Sequence, residues 1–174
     1  LDFVVTGIEI NADDMSDLRI SKMSLRQPSL DTGFLSPYNF GFGISYVLPI
    51  ILTGLIAERG SVFLVENPEA HLHPKGQSHI GYFLAIMALS GVQLILETHS
   101  EHVLNGIMIA ALKNKIAPND ISINFFSVDA SGPDVKHKVE NIKLNERMDL
   151  ETWPEGFLDQ EEDDLKTLRE LRRK

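Results

Sequence analysis

Cysteine is absent from the 174 residues, which excludes a disulfide scaffold and thiolate metal sites and fits a reducing cytoplasm. Long apolar runs are also lacking. The longest, 44–57, is interrupted by Ser45, Pro49, Thr53 and Gly54, well short of the roughly 20 residues that span a bilayer. No secretory leader opens the chain, so neither a membrane partner nor export is expected. Basic charge is sparse, and its one cluster is Lys166, Arg169, Arg172, Arg173 and Lys174. That cluster fits a solvated helix end better than a phosphate-binding patch. The formal charge of −9 is concentrated between Glu146 and Asp164, where nine acids face only Arg147. The rest is close to neutral, so overall acidity does not exclude a nucleic-acid partner. With 43% hydrophobic and 24% charged residues, the chain has the composition of an ordinary globular domain able to bury a core.

Two stretches carry the chemistry. Residues 62–74 read Val-Phe-Leu-Val-Glu-Asn-Pro-Glu-Ala-His-Leu-His-Pro, and residues 92–100 read Val-Gln-Leu-Ile-Leu-Glu-Thr-His-Ser. Each is an apolar, β-branched-rich run that ends abruptly in acids, an amide or histidines. Such runs predict strands buried on both faces of a parallel sheet. Ligands of open α/β sheets bind at the carboxyl ends of the strands, so two such endings predict a site.

The surrounding pattern predicts strands at 3–10 and 18–25 joined by a polar turn over 11–17, hence an N-terminal β-hairpin. A loop rich in proline and glycine follows over 26–42. A helix from 43 to 58, apolar on nearly every side, predicts burial. Strand 61–66, helix 75–90, strand 92–97 and helix 101–114 then alternate as in a parallel α/β sheet. Strands at 121–128 and 135–143 flank a turn at 129–134. A charged helix from about residue 160 carries Leu165, Leu168 and Leu171 on one face. The fold class expected is α/β, a mainly parallel sheet flanked by helices. Residues 1–150 are expected to form the main domain and 151–174 a tail with a charged helix.

Glu66 is the first polar residue after its apolar run, where a carboxylate commonly anchors a Mg²⁺ that bridges nucleotide phosphates. Glu69 follows across Pro68 and is placed to orient water. His99 ends the next strand, within reach of a terminal phosphate. In their order these motifs resemble the C-terminal half of an ABC-type P-loop ATPase, particularly the overcoming-lysogenization-defect (OLD-like) branch related to the SMC and RecF-type DNA-repair ATPases. The residues that carry the resemblance are Asn39-Phe-Gly-Phe-Gly-Ile-Ser45, similar to a signature motif, Leu64-Val-Glu-Asn-Pro-Glu-Ala-His-Leu-His-Pro74, similar to a Walker B strand, and Glu97-Thr-His-Ser100, similar to a switch motif. The tail Trp153-Pro-Glu-Gly-Phe-Leu-Asp-Gln160 is similar to the ending of an uncharacterised bacterial subgroup of these ATPases.

The resemblance implies ATP and Mg²⁺ as cofactors, with Glu66 as the metal-anchoring acid and His99 as the phosphate-sensing histidine. Gly41 and Gly43 match the signature glycines, with Ser45 the nearest hydroxyl, and His71 falls in the segment that passes between subunits. It further implies a homodimer that sandwiches the nucleotide, a nuclease or other effector as partner, DNA contacted indirectly, and a cytoplasmic location. There are departures. Asn67 stands where many such ATPases carry the catalytic glutamate, and an amide accepts no proton at neutral pH, so Glu69 takes that role or hydrolysis is slow. No G-x-x-x-x-G-K-[ST] phosphate loop occurs in the sequence. The chain is therefore expected to be the C-terminal lobe of a longer ATPase, inactive alone. Two other readings compete: a degenerate ATPase fold serving as a dimerisation or regulatory scaffold, and a metal hydrolase. In the latter, His71 and His73 with Glu69, His99 and His102 would hold Zn²⁺.

Overall fold

The computed structural model describes residues 7–15, 20–31, 33–129 and 135–173. Residues 3–6 and 18–19 of the expected strands, and the expected turn residues 16–17 and 130–134, lie outside the described residues. The chain divides into two compact units, 1–110 and 111–174.

In the first unit, β1 (Glu9–Met15) pairs antiparallel with β2 (Ile20–Arg26). Residues 11–15, expected in a turn, continue the first strand instead. Cross-strand pairing outweighs their weak strand preference: Asp13 lies opposite Lys22, and Glu9 lies opposite Arg26, whose Nε donates to its carboxylate at 3.0 Å. A short loop with two 3₁₀ turns leads to α1 (Phe42–Ile56). β3 (Val62–Glu66), α2 (Pro74–Leu89), β4 (Gln93–Glu97) and α3 (Glu101–Asn114) follow, close to the ranges expected. β3 and β4 run parallel in register, from Val62 opposite Gln93 to Glu66 opposite Glu97. The intervening α2 supplies the long crossover that parallel pairing requires.

One face of this strand pair is covered. Phe63, Val65, Leu94 and Leu96 pack with Val47 and Ile51 of α1, Ile80, Leu84 and Met87 of α2, and Val103 of α3. The opposite face is open: Val62 and Leu64 are each 59% exposed and Ile95 49%. The expectation of strands buried on both faces is thus corrected to burial on one face. α1 is corrected likewise, because Val47, Leu48, Ile51 and Gly54 are buried whereas Leu52, Leu55 and Ile56 face solvent. An apolar residue stays inside only where another element covers it, and a strand pair with three helices on one side leaves the other side bare.

In the second unit, β5 (Ile123–Asp129) and β6 (Lys136–Ile142) form an antiparallel hairpin. Phe157 of the tail is 8% exposed and meets Phe125 of β5 edge-on at 5.5 Å, with Trp153 at 5.8 Å. The tail therefore groups with this hairpin. α4 (Gln160–Leu171) carries exposed Leu165, Leu168 and Leu171 and an exposed Lys166 bonded to Glu162 and Asp163. The hydrogen bond that Lys166 donates to Glu162, then the one it donates to Asp163, raises its pKa.

The fold is α/β, but the described residues hold one parallel strand pair and two antiparallel pairs. A mainly parallel sheet is not what they form. Strands separated by only a few residues, as β1–β2 and β5–β6 are, have no room for a crossover and must pair antiparallel. Among the described residues, no helix is long and apolar enough to cross a membrane.

Candidate active site at the strand ends

Glu66 closes β3 and Glu97 closes β4 as register partners. Partners in a parallel pair project to the same face, and here it is the open face that carries Val62, Leu64 and Ile95. The main-chain carbonyl of Glu66 accepts the Tyr46 hydroxyl at 3.2 Å, which ties α1 to the end of β3. Asn67 then turns the chain with φ +46° while its N–H still donates to the Glu97 carbonyl at 3.0 Å. Asparagine is among the few residues that tolerate this left-handed backbone, which gives a structural reason for an amide at this position. Its Oδ1 is buried, with no hydrogen-bond donor among the described residues.

Pro68 is fully buried and fixes the turn from which Glu69 reaches the loop after β4. One Glu69 oxygen accepts the Thr98 hydroxyl at 2.8 Å, and the other accepts the His99 main-chain N–H at 2.8 Å. The His99 imidazole is 79% exposed, with Nε2 3.9 Å from the Glu97 carboxylate. Glu66, Asn67, Glu69 and His99 thus come together at one edge of the β3–β4 pair.

Gly41, Gly43 and His71 gather at a second place in the same unit, a cleft of about 530 Å³ between the start of α1 and the start of α2. Gly41 precedes α1 with φ +82°, a conformation that suits glycine. At Gly43 a Cβ would stand 2.7 Å from the His71 carbonyl oxygen, so the approach of the two segments requires glycine. His71 has φ +61°, and its ring lies 5.7 Å from that of Phe42 and 6.2 Å from that of Tyr46. Lys75 and His73 also line this cleft. Ser45 does not: its hydroxyl donates to the Pro37 carbonyl at 3.2 Å and holds the preceding turn.

The metal-hydrolase set is not assembled, since no group of three or more His, Asp or Glu side chains is placed to hold a metal ion among the described residues. Four residues of this region gain a role from the tertiary structure. Glu97 and Thr98 stand inside the polar ending of the second apolar run, and their roles follow only from register and from the reach of Glu69. Tyr46, and Gln77, whose side-chain amide accepts the Ser100 hydroxyl and donates to the Leu72 carbonyl, are ordinary helix residues in sequence, with no signal that marks them.

A family model described as "AAA domain, putative AbiEii toxin, Type IV TA system" matches residues 10–105, more than half of the chain. A second, described as a protein of unknown function (DUF3696), matches residues 116–168. No curated protein matches the chain. The first match covers α1, β3, α2, β4 and the start of α3, hence both groups of residues just described. The chain belongs to this AAA-domain family of P-loop ATPases.

Proposed function

We propose that this chain is the lobe of an ABC-type, OLD-like ATPase that carries the Walker B strand, the signature segment and the switch histidine. The phosphate loop is absent from these residues and comes from polypeptide outside them. Glu66 anchors Mg²⁺, His99 meets the terminal phosphate, and Glu69 belongs to the same reacting edge. Asn67 and His71 flank the nucleotide, and Gly41 and Gly43, with Ser45 behind them, face the nucleotide held by a second subunit. Hydrolysis then switches a partner effector, such as a nuclease acting on DNA or in phage defence, in the cytoplasm.

The observation that carries this reading is the parallel register of β3 and β4. It sets Glu66 and the His99 loop side by side at the carboxyl ends, where Mg²⁺ and phosphate are held in such sheets. The residues present fit the metal in kind, because Mg²⁺ keeps several waters and needs only one or two carboxylates from the protein. When bound, Mg²⁺ would neutralise charge developing on the phosphates.

The test is nucleotide binding in the intact protein. Glu66→Gln should weaken ATP affinity in Mg²⁺ and leave the weaker, metal-free affinity unchanged. Equal effects with and without Mg²⁺ would remove Glu66 from the metal. The 174-residue chain by itself should bind ATP no more tightly than millimolar by calorimetry, and a micromolar dissociation constant would point to a phosphate site outside this reading.

A further inference from the structure

Glu69 links two loops that the sequence keeps apart. Its carboxylate accepts both the Thr98 hydroxyl and the His99 main-chain N–H, each at 2.8 Å. Thr98 Oγ1 in turn accepts the Ser100 N–H at 3.1 Å. The buried Ser100 hydroxyl donates to Gln77 Oε1 at 2.6 Å and accepts the Val103 N–H at 3.2 Å, capping the first turn of α3. Gln77 Nε2 donates to the Leu72 carbonyl at 2.9 Å, three residues beyond Glu69. The turn after β3 and the loop after β4 are therefore joined twice, at Glu69 and through Gln77.

This arrangement bears on what Glu69 does. Each of its oxygens already accepts a donor from the switch loop, so the carboxylate is oriented toward the Thr98 hydroxyl and the His99 main-chain N–H. We infer that Glu69 is a positioning residue, which fixes the main chain at His99 and thereby holds the imidazole at the reacting edge; it does not itself take the proton from water. The inference rests on the ATPase reading for its consequence, but the clamp can be tested without it.

Glutamine separates the two roles. Glu69→Gln keeps an acceptor oxygen for the His99 N–H and an amide that can reach Thr98 Oγ1, whereas Glu69→Ala keeps neither. A general base is lost equally in both variants. In the intact protein, hydrogen exchange at the His99 amide and steady-state ATP hydrolysis would be measured for both, together with Thr98→Val. Exchange should accelerate by about tenfold or more in Glu69→Ala, the size expected for losing a hydrogen bond to a charged group. It should rise less in Glu69→Gln and Thr98→Val. The kcat values should fall in the same order, with KM for ATP changing less than kcat.

Two results would overturn the inference. One is exchange at His99 that stays at the parent rate in Glu69→Ala. The other is a Glu69→Gln variant as inactive as Glu69→Ala while its His99 amide remains protected. If exchange follows the expected order but the parent hydrolyses no ATP, the clamp stands and the ATPase reading falls.

Discussion

Glu66 and Glu97 lie directly opposite each other at the carboxyl ends of the parallel strands β3 and β4, both exposed on the open face. Like charges placed opposite one another in a sheet oppose pairing. The protein therefore holds two carboxylates together where packing alone would favour keeping them apart. Glu97→Gln should raise stability without ligand by a few tenths of a kcal/mol, at most about 1 kcal/mol, read as an increased urea midpoint. If the pair serves Mg²⁺, the same variant weakens Mg²⁺-dependent nucleotide binding. A variant that loses stability instead would show that the repulsion is already relieved in the parent.

Asn67 is held at φ +46° by the turn through Pro68. Asn67→Gly and Asn67→Asp should be tolerated, and Asn67→Asp should change ATP turnover less than Glu69→Ala does. Asn67→Val should cost about 1–2 kcal/mol, because a β-branched side chain crowds the left-handed backbone. Chemical denaturation of the three variants checks the order. Equal stabilities for Asn67→Gly and Asn67→Val would mean that the turn relaxes to another conformation.

Helices α2 and α3 approach through two glycines. A Cβ at Gly81 would meet the Val103 carbonyl, and one at Gly106 would meet the Ser78 carbonyl. Backbone atoms cannot step aside as a flexible side chain can. Gly81→Ala and Gly106→Ala should each destabilise by roughly 1–3 kcal/mol, the usual range for overpacking. Gly33→Ala, where a Cβ meets nothing within 4 Å, is the control and should stay within about 0.5 kcal/mol of the parent.

Trp153 is the only tryptophan, so its fluorescence reports on the tail alone. Phe157 is buried between Trp153 and Phe125. Phe157→Ala should cost roughly 3–5 kcal/mol of the second unit's stability and shift the Trp153 emission to the red. An unchanged emission spectrum would mean that the tail stays docked without the ring.

The sequence alone determined the elements and their order. From β3 to α3, apolar periodicity, Pro74 at a helix start and abrupt polar strand ends fix boundaries within a residue or two, because those signals are local. It also marked Glu66, Glu69 and His99 as candidates, since polar residues at the ends of apolar runs stand out. The tertiary structure decided the rest. Pairing across β1–β2 drew residues 11–15 into a strand that their composition opposes. Coverage by three helices on one side decided which apolar residues of β3 and α1 are buried, and no periodicity encodes what lies on the far side. The register of β3 with β4 brought Glu97 beside Glu66, and the span of one side chain from residue 69 to residues 98–99 gave Glu69 its partners. Hydrogen bonds between residues about thirty positions apart depend on how strands and turns meet in space, which composition and periodicity do not fix.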